Sequence, residues 1–209
     1  GSNDFKIPGS AFVNLSNVDP SFRLDITSST YNGAPFNSYA LPTLFGIEAG
    51  MYHRGRSGRN GLVTYVANNQ YVSQYYPNIQ AAIDYAVSGH IINIEDYTYT
   101  QHLNVDLPVT LLGQSEAGVI LDGTSLGTGN GITLGNGITD ITVSKMTIQN
   151  YTGSGSVGSG IFGINNSNFI LQDATLDNNQ GRGGIYLSGI GGIDNVLIDD
   201  VTSRNHTFG

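Results

Sequence analysis

Apolar residues recur at one spacing in three stretches of the C-terminal half: Ile141-Thr-Val-Ser-Lys-Met-Thr-Ile-Gln-Asn150, Phe169-Ile-Leu-Gln-Asp-Ala-Thr-Leu-Asp-Asn178 and Val196-Leu-Ile-Asp-Asp-Val-Thr-Ser-Arg-Asn205. The offsets are 169 − 141 = 28 and 196 − 169 = 27 residues. In the first stretch the apolar positions are Ile141, Val143, Met146 and Ile148; in the second, Phe169, Leu171, Ala174 and Leu176; in the third, Val196, Ile198 and Val201, with Ser203 in the fourth place. Steps of two read as strand, and the step of three marks a corner between two strands that both turn apolar side chains inward. A third strand is expected after each glycine-rich loop, starting at Gly160-Ile161 and at Gly184-Ile185. Such a period describes a chain that coils on itself, one unit per repeat. The pattern therefore predicts an all-β protein of three strands per coil, with equivalent residues stacked about 4.8 Å apart. Asn150, Asn178 and Asn205 share one register position, as do Thr147, Thr175 and Thr202. Stacked Asn side chains can pass amide hydrogen bonds from coil to coil.

Upstream, short strands are expected at 91–94, 103–105, 109–112, 119–121 and 132–134, and a further alternating run at 62–72. Ile79, Ala82, Ile83 and Ala86 fall at i, i+3, i+4 and i+7, one face of a helix over 78–88. Asn78 is its expected N-cap and Gly89 its expected C′ residue. One short helix ahead of a strand-only region suits a lid over open strand edges. Residues 1–61 read as an irregular arm or small β subdomain, with apolar runs at 11–15 and 22–26 and with Pro20, Pro35 and Pro42 as punctuation. Residues 62–209 form the repetitive unit.

Composition sharpens this picture. Charged residues are only 11% of the 209-residue chain and the formal charge is −8, which argues against a nucleic-acid partner. Cysteine is absent, so the fold needs neither a disulfide nor a thiolate metal site. No apolar run is long enough to span a membrane. Gly1-Ser2 reads as the remnant of tag removal and the chain as an excised segment of a secreted or cell-surface protein, its signal peptide not included.

The run from Asn78 through Ile94, followed by Tyr97-Thr-Tyr-Thr-Gln-His-Leu-Asn-Val-Asp-Leu-Pro-Val-Thr-Leu-Leu-Gly113, closely resembles the opening of the pectin-lyase-like superfamily. The resemblance covers about residues 62–209. It implies a right-handed single-stranded parallel β-helix with an N-terminal capping α-helix. Asp96-Tyr97 stands where that family commonly places a Pro-Gly turn. The family includes polysaccharide lyases, hydrolases and epimerases, phage tailspikes, and non-catalytic surface proteins and adhesins, so fold alone does not choose a function.

Hydrolysis of the polygalacturonase kind needs a cluster of carboxylates. Asp199-Asp200 is similar to that family's Asp pair, but the companion motifs Asn-Thr-Asp, Gly-His-Gly and Arg-Ile-Lys are absent, and both residues fall at a solvated corner. Asp173 and Asp200 stack on consecutive coils, where calcium, Lys145 or plain water would offset their repulsion. Beyond that calcium no cofactor is expected. Asp177 beneath Arg204 reads as an exposed ion pair. Arg182 lies in the loop Gln180-Gly-Arg-Gly-Gly184, and the Gly/Ser-rich loops 124–131 and 151–160 are expected at the same corner. Together they would form the lip of a groove for an extended glycan, with Arg182 and Arg204 as polar contacts and Tyr151, Tyr186 or Phe162 as stacking platforms. The cluster of His53, Arg54, Arg56 and Arg59 would hold an anion or an acidic partner. His90, His102 and His206 lack metal-ligand spacing and read as structural. The sequons at Asn14, Asn150, Asn165 and Asn205 are mostly coincidental, two of them being ladder positions.

The expectation is a non-catalytic extracellular or cell-surface module, a stalk or adhesin with carbohydrate as its partner. The alternatives are the N-terminal part of a polysaccharide lyase, glycoside hydrolase or epimerase, and a phage-tail or filament component. A last coil without a neighbour is further expected to self-associate or to fray near residues 202–209.

Overall fold

The computed structural model describes residues 3–5, 13–14, 22–52, 63–190 and 193–208. The N-terminal part is built from very short strands: β1 (Asp4–Phe5), β2 (Val13–Asn14), β3 (Leu24–Asp25), β4 (Thr30–Tyr31) and β5 (Ala34–Pro35), then a 3-10 turn at Phe36–Ser38, helix α1 (Leu41–Ala49), β6 (Met51–Tyr52) and β7 (Val63–Thr64). Asn32 and Gly33 both take positive φ, which gives the tight turn that folds β4 against β5. That hairpin is the one antiparallel pairing among the described strands; β2–β6 and β3–β7 are parallel. A cluster of Phe36, Phe45, Ile47, Met51 and Tyr65 is buried here. Helix α1 falls where the sequence reads as irregular. Pro42 sits in its first turn, where the missing N–H costs nothing, so it starts the helix rather than breaking it.

From residue 69 the described strands pair in parallel. In chain order they are β8 (Asn69–Val72), then helix α2 (Ile79–Tyr85), β9 (His90–Ile94), β10 (Tyr97–Tyr99), β11 (Leu103–Val105), β12 (Val109–Gly113), β13 (Val119–Asp122), β14 (Ile132–Leu134), β15 (Thr142–Gln149), β16 (Ile161–Ile164), β17 (Ile170–Asp177), β18 (Ile185–Ser188) and β19 (Leu197–Arg204). They assemble into three parallel columns. The first runs β8, β9, β12 and then the leading halves of β15, β17 and β19. The second runs β10, β13 and the trailing halves of the same three strands. The third is β11, β14, β16, β18. The chain visits the columns in turn and then starts the next layer, an arrangement compatible with a β-helix-like fold.

The corner expected between paired strands is a single left-handed residue. Lys145, Asp173 and Asp200 have φ of 55°, 49° and 48°, and the ladder skips from Ser144↔Gln172 to Met146↔Ala174 across them. Ile141, Val143, Met146, Ile148, Phe169, Leu171, Ala174 and Leu176 are all buried, as their spacing requires. Gly113 lies so close to the Lys145 carbonyl that any Cβ there would overlap it. Val196 just before β19, and Leu197 and Ile198 within it, stay exposed, and among the described strands β19 pairs with β17 alone.

The Asn ladder holds for its first rung and changes at its ends. Asn178 Nδ2 donates to Asn150 Oδ1 at 2.8 Å, and Asn150 Nδ2 to Asp122 Oδ1 at 3.2 Å, but Asn205 Nδ2 donates to Asp177 Oδ1 at 2.8 Å rather than to Asn178. A second ladder runs Asn195 to Asn168 to Asp140, at 3.0 and 2.9 Å, and a single rung joins Asn165 to Asn136 at 2.9 Å. The side chains of the sequon residues Asn150, Asn165 and Asn205 are thus held in rungs.

Helix α2 begins as expected, with Asn78 Oδ1 accepting from the Ala81 N–H at 2.9 Å. It ends three residues early. Ala86 is already extended, and the N–H of Gly89 donates to the Pro108 carbonyl at 2.8 Å instead of closing the helix. The run expected at 62–72 is split by a turn in which Asn68 is left-handed, and β10 is a strand that the apolar pattern does not show. Helix α1 packs on β8, and α2 packs on β8, β9 and β11.

Candidate functional site

The outer face of the third column presents Asn104, Thr133, Phe162 and Tyr186, which stand at paired positions on successive strands. Their parity is opposite to that of Leu103, Ile132 and Ile161, which are buried. The rings of Phe162 and Tyr186 lie 5.7 Å apart and 17° from parallel, as in-register neighbours on parallel strands should. The guanidinium carbon of Arg182 is 4.7 Å from the centroid of the Tyr186 ring. A planar cation at that distance gains from the ring quadrupole and fixes a long side chain that would otherwise roam in water. Phe162, Tyr186 and Arg182 therefore form one ordered surface feature, of which the sequence shows the members but not the contact.

The loop that carries Arg182 is built against its neighbours. Gly181 is left-handed, and a Cβ on it would meet the Val157 carbonyl oxygen. The Gln180 N–H donates to Tyr151 O at 2.9 Å, Gly160 N–H to Gly183 O at 3.1 Å, Gly131 N–H to Ser159 O at 3.0 Å and Gly129 N–H to Thr152 O at 3.0 Å. Loops 124–131, 151–160 and 180–184 are thus stacked at one corner, beside the aromatic pair.

Tyr151 does not serve as a platform. It is fully buried, its hydroxyl donates to the Gln101 carbonyl, and burial pushes its phenol far above the ordinary range. The left-handed Asn150 turns the chain inward at that point. Arg204 Nε lies 2.9 Å from Asp177 Oδ2. Asp177 is held below the usual carboxylate range by the Asn205 amide first and by Arg204 next, which commits Arg204 to a neighbour in the chain. The register sets Asp173 beside Asp200 at the corner. Among the described residues no group of three or more His, Asp or Glu side chains is gathered to hold a metal ion. His53, Arg54, Arg56 and Arg59 lie outside the described residues.

Two of the three other histidines are held by backbone groups. His102 Nδ1 is 2.7 Å from the Asn130 carbonyl, and His206 Nδ1 accepts from the Asn179 N–H at 3.2 Å. Burial lowers the pKa of half-buried His90.

One concavity escapes the linear reading. A cleft of about 640 Å³ opens between the turn before α2 and strand β10, lined by Tyr75, Tyr76, Gln80, Tyr97, Gln101 and His102 among others. The pairs Tyr75-Tyr76 and Tyr97-Thr-Tyr were visible in the sequence as a local excess of tyrosine; their meeting across about twenty residues was not. Comparison with protein-family models, with curated proteins and with solved structures gives no match.

Proposed function

We propose that the chain is a right-handed single-stranded parallel β-helix of the pectin-lyase-like kind, capped at its N-terminal end by α2, and that it works outside the cell or at its surface as a non-catalytic, carbohydrate-binding module. The parallel register of three columns supports the architecture, with a step of 28 residues from β15 to β17 and 27 from β17 to β19. The observation that carries the function is the Arg182–Tyr186–Phe162 stack on an outer strand face, flanked by three interlocked glycine-rich loops. Aromatic rings joined to hydrogen-bonding groups on a rigid face suit the alternating apolar and hydroxyl surfaces of a sugar chain, and the sheet pre-sets their spacing. The stacked corner loops give such a chain an edge to lie along. Screening the protein against a glycan array tests this. Binding to an extended polysaccharide is expected, weakened roughly tenfold by Tyr186→Ala or Arg182→Ala, the size of one aromatic or cation–π contact. An absorbance assay on pectate and alginate separates the enzymatic alternative. Robust turnover would overturn the non-catalytic reading.

A further inference from the structure

We infer that the tyrosine-lined cleft between α2 and β10 is a binding site for a short, uncharged oligosaccharide, separate from the outer-column stack. The inference rests on the reading of the chain as a carbohydrate-binding module but uses none of the same residues. Tyr75 and Tyr97 are 70% and 43% exposed, unusual for rings that ordinarily seek cover, and both line one concavity whose volume falls within the range of small-ligand sites. Tyr97 is not loose: its ring meets the buried Tyr99 edge-on at 5.5 Å, and the Tyr99 hydroxyl is anchored on the Glu95 carbonyl at 2.7 Å. The floor between the tyrosines is also braced. Gln101 Nε2 donates to Pro77 O at 2.7 Å while its Oε1 accepts from the Gln80 N–H at 3.3 Å. Gln80 in turn donates to the Asn104 carbonyl and accepts from the Asn104 N–H at 2.8 Å. A site held in this way loses little further freedom when a ligand arrives.

The chemistry of the lining selects the ligand. Rings from two segments are interleaved with the exposed Thr98 and Thr100, and among the described lining residues there is no Asp, Glu, Lys or Arg. A sugar offers C–H faces to aromatic rings and hydroxyls to amides and alcohols, which is the pattern present. With no Lys or Arg among the described lining residues and a formal charge of −8 on the whole chain, a uronate is disfavoured. The site therefore takes neutral hexose or pentose units and rejects acidic ones.

The chain has twelve tyrosines and no tryptophan, so its intrinsic emission reports directly on tyrosine environments. Titrating the full chain with cellohexaose, mannohexaose, xylohexaose and trigalacturonate, by emission and by calorimetry, tests the inference. At least one neutral hexasaccharide is expected to bind and trigalacturonate not to. Tyr97→Ala and Tyr75→Ala should each weaken that binding roughly tenfold, while Tyr97→Phe retains it. Both rings are exposed enough that truncation leaves the fold intact, which far-ultraviolet circular dichroism checks. Binding that survives Tyr75→Ala and Tyr97→Ala but is lost in Tyr186→Ala would overturn the cleft and leave the wider function standing. Preference for trigalacturonate, Tyr97-dependent binding of a decaproline peptide in place of sugars, or no binding of any neutral hexasaccharide would each overturn the inference; the glycan array judges the wider function separately.

Discussion

Left-handed backbone is reserved here for residues that tolerate it. Among the described non-glycine residues with positive φ, all are Asn or Asp except Lys145. The short side chains of Asn and Asp hydrogen-bond locally and offset part of the steric cost of that region, which lysine cannot do. Lys145 holds the corner that Asp173 and Asp200 hold in the next two layers, so it sits in a conformation its neighbours are better suited to. Lys145→Asn should therefore raise stability by about 1 kcal/mol, seen as a higher urea midpoint with an unchanged slope. Lys145→Asp should gain less, because it sets a third carboxylate beside Asp173 and Asp200. A lower midpoint for Lys145→Asn would mean that the lysine charge matters more than its backbone. Asp177 supplies a pH test at the same scale. Its folded pKa is depressed by the Asn205 amide and by Arg204, so the stability it contributes is complete above the unfolded value of about 4 and is lost as pH falls through the folded value. Asp177→Asn should be less stable than the parent at pH 7 and indistinguishable from it near the acid limit, by urea melts at both ends.

At the scale of elements, Asn78 closes the first turn of a seven-residue helix by accepting the Ala81 N–H, and a helix this short has little other local support. Asn78→Ala should cost about 1 kcal/mol, and Asn78→Asp should restore most of it, by thermal unfolding. The strands of the repeats were legible because their inward residues recur at fixed offsets, and a column of like residues leaves the same trace in each repeat. The ladder through Asp140, Asn168 and Asn195 obeys the same offsets of 28 and 27 residues, so the sequence carries its trace as well. Helix α1 was not legible: Leu44, Phe45, Ile47 and Glu48 are all buried, so no polar face alternates with an apolar one. The early end of α2 depends on Pro108, about twenty residues away, which local periodicity cannot register. For the site the division is similar. Arg182 and Tyr186 stood out beside a glycine-rich loop, whereas Tyr151 had the same local look and was sent into the core by the turn at Asn150. The cleft around Tyr75 and Tyr97 exists only once the layers are stacked.

Across the whole molecule the two ends of the columns differ. At one end α1 packs on β8, and α2 on β8, β9 and β11, so the first strands are covered. At the other end β19 pairs with β17 alone among the described strands, and Leu197 and Ile198 are 48% and 50% exposed. An open parallel edge with apolar residues beside it invites a further strand. In the 209-residue chain, two copies that meet at that edge would close on each other by a two-fold axis. The 209-residue chain should therefore show a concentration-dependent shift from 22.1 kDa to twice that mass in sedimentation equilibrium. Ile198→Lys, which puts a charge into that edge, should hold it at the monomer mass without lowering the unfolding midpoint, since the side chain is already half exposed. A monomer at every attainable concentration would show that β19 is protected without a partner, and species larger than dimers would show that the α1 and α2 end is open after all.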